Sequence, residues 1–461
     1  MKRFGIALFC SALLIASEGA SGEGISLNEA IEIVKSANLE IKSADYDLQS
    51  ARADAGIAAG YHWGELDFTQ EVARSDDAGN VFGFKLSSRE ADFGDFGFSD
   101  FLACQSATPP AYCANILNRQ PADLNYPEAR TYFQSKLSYQ LPIYMGGSLA
   151  AYSAITKSVE KIKHLDKNAV IDEKIYQVRK SFYDMALLRS SIQHFTQILD
   201  NIKTLETITQ SMIDEGYAKK TDLLEVQAKR ANVERMINEM ESNKALLYHF
   251  ISFLLNRKVT AIEPPFEDVP MCYRSDEQVL AGNLDLKKAE AGLEIRKEML
   301  DASYAGYLPQ IGAFAEVSTA DNSFLGDAED HKAYTVGARL TWNLFSGGVD
   351  AHKVEKAKVE HLKMQTQVEL AKKGIALKLD QIRTGIKQYD YEIDSLNKEL
   401  ELADEIYSSY EARYREHLAS MSDVLIKQSE KIEKILALLM AKNKRNERVF
   451  ALQKLANGEE L

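Results

Sequence analysis

The sequence predicts a mainly α-helical chain: long antiparallel coiled-coil helices joined to a membrane β-barrel, with four strands supplied per chain. Three observations predict it. First, two motifs recur in one frame, 201 residues apart. Tyr139-Gln-Leu-Pro-Ile-Tyr-Met-Gly146-Gly147 resembles Leu340-Thr-Trp-Asn-Leu-Phe-Ser-Gly347-Gly348, and Gly216 to Gln227 resembles His417 to Gln428. Second, apolar residues run at spacings of four and three from Ile375 through Leu379, Ile382, Ile386, Tyr389, Ile393, Leu396 and Leu400 to Tyr414. That is a heptad seam. Third, residues 133–143 and 334–344 alternate with period two, the signature of a barrel strand with lipid on one side and water on the other.

The elements follow in chain order. Lys2 and Arg3, an apolar run from Phe4 to Ala16 and a small, polar stretch to Gly24 read as a signal peptide over residues 1–22. Cys10 lies within its apolar run and is given no role. A helix is expected over 26–60 and a strand over 61–73. In the next strand Leu137, Tyr139, Leu141 and Ile143 share one face, and Gln140 and Pro142 the other. A helix over 148–213 should begin after the double glycine, with Val178, Met185, Leu188, Ile192, Phe195, Leu199 and Ile202 on its seam. At 1.5 Å per residue it is about 100 Å long. Its return path is 221–256 followed by 276–306. Residues 257–275 interrupt that path, with Pro264, Pro265 and Pro270 enforcing irregular backbone. The second copy supplies strands at 309–319 and 334–344, with Leu340, Trp342 and Leu344 on the lipid-facing side, then helices over 349–414 and 421–456. A fainter match of Asn38-Leu-Glu-Ile to Asn283-Leu-Asp-Leu places most of the first copy's extra length in residues 74–130. The organisation is a first repeat over 25–245, an equatorial connector over 246–275, a second repeat over 276–456 and a short tail over 457–461. Taken singly, each alternating segment also fits a half-buried strand of a soluble sheet.

Composition narrows the function classes. Lys plus Arg number 55 and Asp plus Glu 68, a net charge of −13, so the chain lacks the basic stripe of a nucleic-acid binder. Nine prolines leave room for long helices, and four cysteines are too few for a disulfide-built scaffold. No phosphate-binding loop, His-Glu-x-x-His, Cys-x-x-Cys or Gly-x-Ser-x-Gly occurs, and the eight histidines are scattered. An enzyme, a metal site and a cofactor are therefore not expected. No stretch after the signal peptide reaches 18 apolar residues, so a bilayer must be crossed by strands. Four strands cannot close a barrel, and an open edge in lipid would strand backbone donors and acceptors, so the barrel is expected to be oligomeric. Cys104 and Cys113 are the exported pair close in sequence, and an oxidising compartment favours a disulfide between them. Cys272 should stay free.

These features together resemble the TolC-like outer-membrane efflux proteins. The resemblance rests on Leu27-Asn-Glu-Ala30 with Asn38, Tyr307-Leu-Pro309 before a strand, Gln140 to Gly147 after one, and the two helix turns, Gly216 to Gln227 and Tyr414 to Gln428. Phe82-Gly-Phe-Lys-Leu86, Ala91-Asp-Phe93 and Leu124-Asn-Tyr-Pro127 look like the first loop of one subgroup. It implies a homotrimer with a 12-stranded barrel above a periplasmic α-helical tunnel. Such a trimer, in the outer membrane of a Gram-negative bacterium, works with a periplasmic adaptor and an inner-membrane pump. Pro142, Gly146, Gly147, Gly347, Gly348 and Pro309 would form the barrel–helix junction. Asp222, Asp423 and Tyr414 match the residues of the periplasmic constriction. Ala419 and Ile426 depart from the family pattern where a gating arginine and a second aspartate can occur. The plain alternative for Asp222 and Asp423 is helix capping. The expected function is an exit duct for small molecules or drugs. A protein-secretion outlet of the same fold and, from another class, a periplasmic coiled-coil adaptor or structural protein are the alternatives.

Overall fold

Helix starts and stops follow local chemistry. In the computed structural model, which describes residues 24–265, 269, 271 and 274–456, the Ser26 hydroxyl accepts the Glu29 backbone N–H and opens α1, Leu27–Ala37. Asn38 is extended, and α2 runs over Leu39–Gly60. The helix expected unbroken over 26–60 is thus two, and the Asn38 side chain is the reason. Its Oδ1 accepts the backbone N–H groups of Glu40 (2.9 Å) and Ile41 (3.2 Å), while its Nδ2 donates to the Leu254 carbonyl at 2.8 Å. Tyr61–Trp63 form a 3-10 turn, so the first strand, β1, is Glu65–Ser75 rather than 61–73.

The long first loop carries helices α3 (Ala78–Ser87), α4 (Phe98–Ala103) and α5 (Ala122–Asn125) before β2, Arg130–Met145. Gly146 and Gly147 then turn the chain with φ of +63° and +86°, and a side chain on Gly146 would collide with the Ala305 carbonyl. Next come α6 (Ser148–Asp214), α7 (Lys220–Leu254), α8 (Asp276–Gly282) and α9 (Leu284–Ser303). The stretch expected as one helix over 276–306 breaks at Asn283, whose Nδ2 donates to the Leu455 carbonyl at 3.1 Å, and Tyr304–Tyr307 is a 3-10 turn. The second copy closes with β3 (Gln310–Asp321), β4 (Lys332–Thr341), α10 (Val349–Arg415) and α11 (Met421–Leu455). Gly347 and Gly348 repeat the left-handed pair at φ of +65° and +88°. The copies match closely: α6 and α10 have 67 residues each, α7 and α11 have 35 each. The connector expected over 246–275 begins as the last turns of α7, and Ile25 forms a parallel bridge with Ile262 beyond it.

The described residues fall into two compact units that cut across both repeats. One takes residues up to Asp45, Asp166–Leu284 and from Lys372 onward; the other takes Tyr46–Leu165 and Asp285–Ala371. In the first unit the repeat is visible in the core. Val34, Val178, Met185, Ile251 and Leu254 pack in one buried cluster, and their counterparts Val279, Leu379, Ile386, Leu452 and Leu455 pack in another. A third cluster joins Phe195, Ile202, Leu205, Val226 and Val233 of α6 and α7 to Tyr407, Tyr414, Met421 and Val424 of α10 and α11. The second unit holds an antiparallel sheet in the order β1-β2-β3-β4.

Two expectations for the strands need correction. The register between β2 and β3 slips between Pro142 and Tyr144, so Ile143 sits in a bulge and leaves the alternation that Leu141 ends. Trp342 and Leu344 lie beyond the end of β4; Trp342 donates its indole N–H to the Tyr307 carbonyl at 3.1 Å. None of the described helices is long and apolar enough to cross a membrane. The signal peptide over residues 1–22, the tail over 457–461 and Cys272 lie outside the described residues.

Candidate functional site: the hairpin turns and the two faces of the sheet

The α6–α7 and α10–α11 turns are built alike. At the end of α6, Gly216 takes φ +84°, its N–H donates to Ile213, and the Tyr217 N–H donates to the Met212 carbonyl at 2.7 Å. At the end of α10, His417 takes φ +60°, its N–H donates to Tyr414, and the Leu418 N–H donates to the Arg413 carbonyl at 2.7 Å. Both are Schellman closures, the first with the usual glycine and the second with a histidine in the left-handed region. The Tyr217 and His417 rings meet with centroids 5.0 Å apart, a pairing of the two turns that sequence reasoning missed.

The structure places both aspartates at N3 of the return helices. Asp423 Oδ2 accepts the Ser420 N–H (3.2 Å) and hydroxyl (2.6 Å), and the Ser420 hydroxyl accepts the Asp423 N–H. This is a complete capping box. Asp222 Oδ2 accepts the Lys219 N–H at 3.1 Å, but lysine has no acceptor, so the first turn carries half of the box. The Ser420 hydroxyl, with its backbone N–H, holds the Asp423 carboxyl below the usual carboxylate range. The capping role therefore stands on observed bonds, and Asp423 remains a solvent-exposed residue while making them.

Tyr414 sits differently. It is buried in the cluster that joins the two hairpins, and its hydroxyl donates to Thr209 Oγ1 at 3.3 Å. Thr209, wholly buried, in turn donates to the Leu205 carbonyl. Burial pushes the Tyr414 phenol up, and the nearby Asp222 carboxylate adds to that. Tyr414 thus ties α10 to α6 instead of presenting its ring to open space. The structure brings Tyr414 and Asp222 into one neighbourhood, while Asp423 bonds within its own turn.

In the second unit the strand register sorts residue types by face. Odd-numbered β2 residues align with even β1 and β4 residues and odd β3 residues: Phe68, Leu137, Val317 and Tyr334 form one row, and Leu66, Tyr139, Ala315 and Val336 the next. Leu141 and Leu340 extend this apolar face. The opposite face carries Glu65, Asp67, Glu71, Lys136, Ser138, Gln140, Glu316 and Arg339. There Lys136 pairs with Glu316 at 2.9 Å, and the Arg339 guanidinium lies 5.7 Å from the Phe314 ring centroid. A cleft of about 630 Å³ opens on this polar face between Glu65, Gln140, Phe314 and Arg339. The apolar side chains remain exposed in the chain by itself: Phe68 is 66% and Tyr334 81% accessible. Leu66, Phe68, Tyr334 and Val336 thus make a continuous exposed apolar patch, which marks a surface that meets lipid or other protein.

Comparison with known proteins agrees with this geometry. Residues 277–458 match the family described as outer membrane efflux protein. No curated protein matches the sequence. Among solved structures, CusC superposes with a TM-score of 0.77 at 13% identity, covering 93% of this chain and 91% of that one. The outer membrane protein VceC of Vibrio cholerae gives 0.75 at 16% identity, covering 94% and 96%. The Campylobacter jejuni CmeC outer membrane channel gives 0.73 at 14%, covering 94% and 85%. The family resemblance read in the sequence is met by the family match in the second repeat, and the fold is shared across the chain.

Proposed function

We propose that this chain is the outer-membrane exit duct of a tripartite efflux system, through which small molecules leave passively while an inner-membrane pump supplies the energy. The observation that carries the reading is the four-stranded sheet, apolar on one face and charged on the other, with β1 and β4 as open edges. In lipid each unpaired edge group costs several kcal/mol, so the edges must be met by other copies. Three copies give a closed barrel of 12 strands with a polar lumen, and the paired helical hairpins form the periplasmic tunnel. A periplasmic adaptor would join the tunnel to the pump.

At the tunnel entrance, Tyr414 locks the two hairpins together through Thr209, Asp222 lies in its neighbourhood, and Asp423 presents a second carboxylate from the other turn. Threefold rings of carboxylates favour cations over anions. Purified protein reconstituted in planar bilayers tests the duct. It should migrate as a heat-resistant trimer and conduct ions with cation preference; a monomer that never conducts would refute the reading.

A further inference from the structure

We infer that residues 76–129 form an outer cap, folded inward over the polar face of the sheet, which narrows the barrel mouth and sets the largest solute that can pass; this rests on the duct reading. Ser75 of β1 pairs with Arg130 of β2, so two residues would suffice to join these strands. The chain instead inserts a folded body. Val81 is 2% exposed, the Phe82 and Phe96 rings meet edge to face at 5.4 Å, and Lys85 pairs with Asp95. Arg119 bonds Asp100 at 3.3 Å and lies 3.7 Å over the Tyr112 ring, and a disulfide joins Cys104 to Cys113, Cα atoms 5.4 Å apart. So many internal ties make a rigid lobe, not a loose loop.

Where the lobe docks decides what it does. Phe84 and Ser87 of α3, and Ser88 that caps its C-terminus, lie on one side at spacings of three and four. The Phe84 ring stacks on Tyr132 at 4.2 Å, with 12° between planes, and Ser87 is hydrogen-bonded with Tyr132. The Arg130 guanidinium donates to the Ser88 hydroxyl at 3.1 Å and pairs with Glu90. Tyr132 and Arg130 are even-numbered residues of β2, in line with Gln134, Lys136, Ser138 and Gln140. Those are the polar-face residues. A loop splayed outward would have covered Phe133 and Val72 on the apolar face. Ala320, on the polar face of β3, is likewise buried. The docking end of the sheet is the one away from its junctions with α2, α6 and α10, so in a closed barrel three such lobes converge over the lumen at the outer mouth. The lobe carries Asp76, Asp77, Glu90, Asp92, Asp95, Asp100, Asp123 and Glu128 against Lys85, Arg89 and Arg119. Its excess of acid favours cationic and neutral solutes over anions.

The test reads access from outside, so that a closed entrance at the other end does not interfere. Thr69→Cys places a thiol on the polar face, and Phe68→Cys places one beside it on the apolar face. Intact cells are treated with maleimides carrying polyethylene glycol chains of increasing size. Thr69→Cys should react with small reagents and exclude large ones. Replacing 76–129 by Asn-Gly should admit the large reagents with at least a tenfold gain in labelling rate. Phe84→Ala with Glu90→Gln, which alters no strand, should do the same more weakly if the shortened chain fails to assemble. Unchanged size exclusion in both variants would overturn the cap and leave the duct standing. Equal reactivity of Phe68→Cys and Thr69→Cys would overturn the duct reading itself, and the cap with it.

Discussion

Ser420 and Lys219 occupy the same place in the two hairpin turns, yet only the serine can accept a hydrogen bond from its helix. Ser420→Ala should therefore cost about 1 kcal/mol, measured by thermal melting, whereas Lys219→Ser should stabilise the first turn. The Asp423 carboxyl titrates below its ordinary value because Ser420 bonds the charged form. Its contribution is present above about pH 4, where unfolded carboxyls ionise, and is lost as pH falls through the lower folded value. Tyr414 behaves oppositely. Its phenol is raised by burial, so its contribution is intact below about pH 10 and is lost as pH rises beyond that. Tyr414→Phe should loosen the α6–α10 tie and raise open probability in planar bilayers without changing ion selectivity. Asp222→Ala with Asp423→Ala should instead lower cation preference; unchanged selectivity with a lower melting point would make both aspartates caps alone. Tyr407 adds a further expectation. Its hydroxyl is buried and has no hydrogen-bond partner among the described residues, so Tyr407→Phe should stabilise by up to about 1 kcal/mol in a melt.

At the scale of elements, two asparagines organise the helices. Asn38 and Asn283 each end one helix and hold the last carbonyls of a distant one, Leu254 and Leu455. Asn38→Ala removes the α2 cap and orphans a buried carbonyl, and should cost about 2 kcal/mol. Asn38→Asp keeps the cap and loses only the donor, so it should recover part of that. The likeness of Asn38 and Asn283 is legible in the sequence, but the helix break is not. A short polar side chain reveals its role only through a partner, and here the partner lies 216 residues away for Asn38 and 172 for Asn283. The long helices were legible to within a residue because a heptad seam is a local, repeated signal. The bulge at Ile143 was hidden for the opposite reason: nothing in one strand records where its neighbour's register slips.

For the whole molecule, the decisive property is the sidedness of the sheet. Arginine at Leu137 or Val336, in the apolar rows, should impair membrane insertion by about 2–4 kcal/mol near the midplane. Arginine at Gln140 or Thr335, on the polar face, should be tolerated. Trimer yield from outer-membrane fractions measures both, and equal tolerance at the two sets would count against a barrel.

What the sequence by itself determined is everything carried by period and repeat: two copies 201 residues apart, long seamed helices, strands with one apolar face, and two equivalent turns closing on Asp222 and Asp423. Periods of 2 and 3.6 are properties of the backbone, so they can be read wherever they are sustained. The tertiary structure alone decided which partner each polar group found. It buried Tyr414 against Thr209 instead of leaving it open, set Tyr217 against His417, and laid Phe84 on Tyr132 so that the first loop covers the polar side of the sheet. Those choices depend on side chains brought together from distant parts of the chain, and no local pattern encodes them.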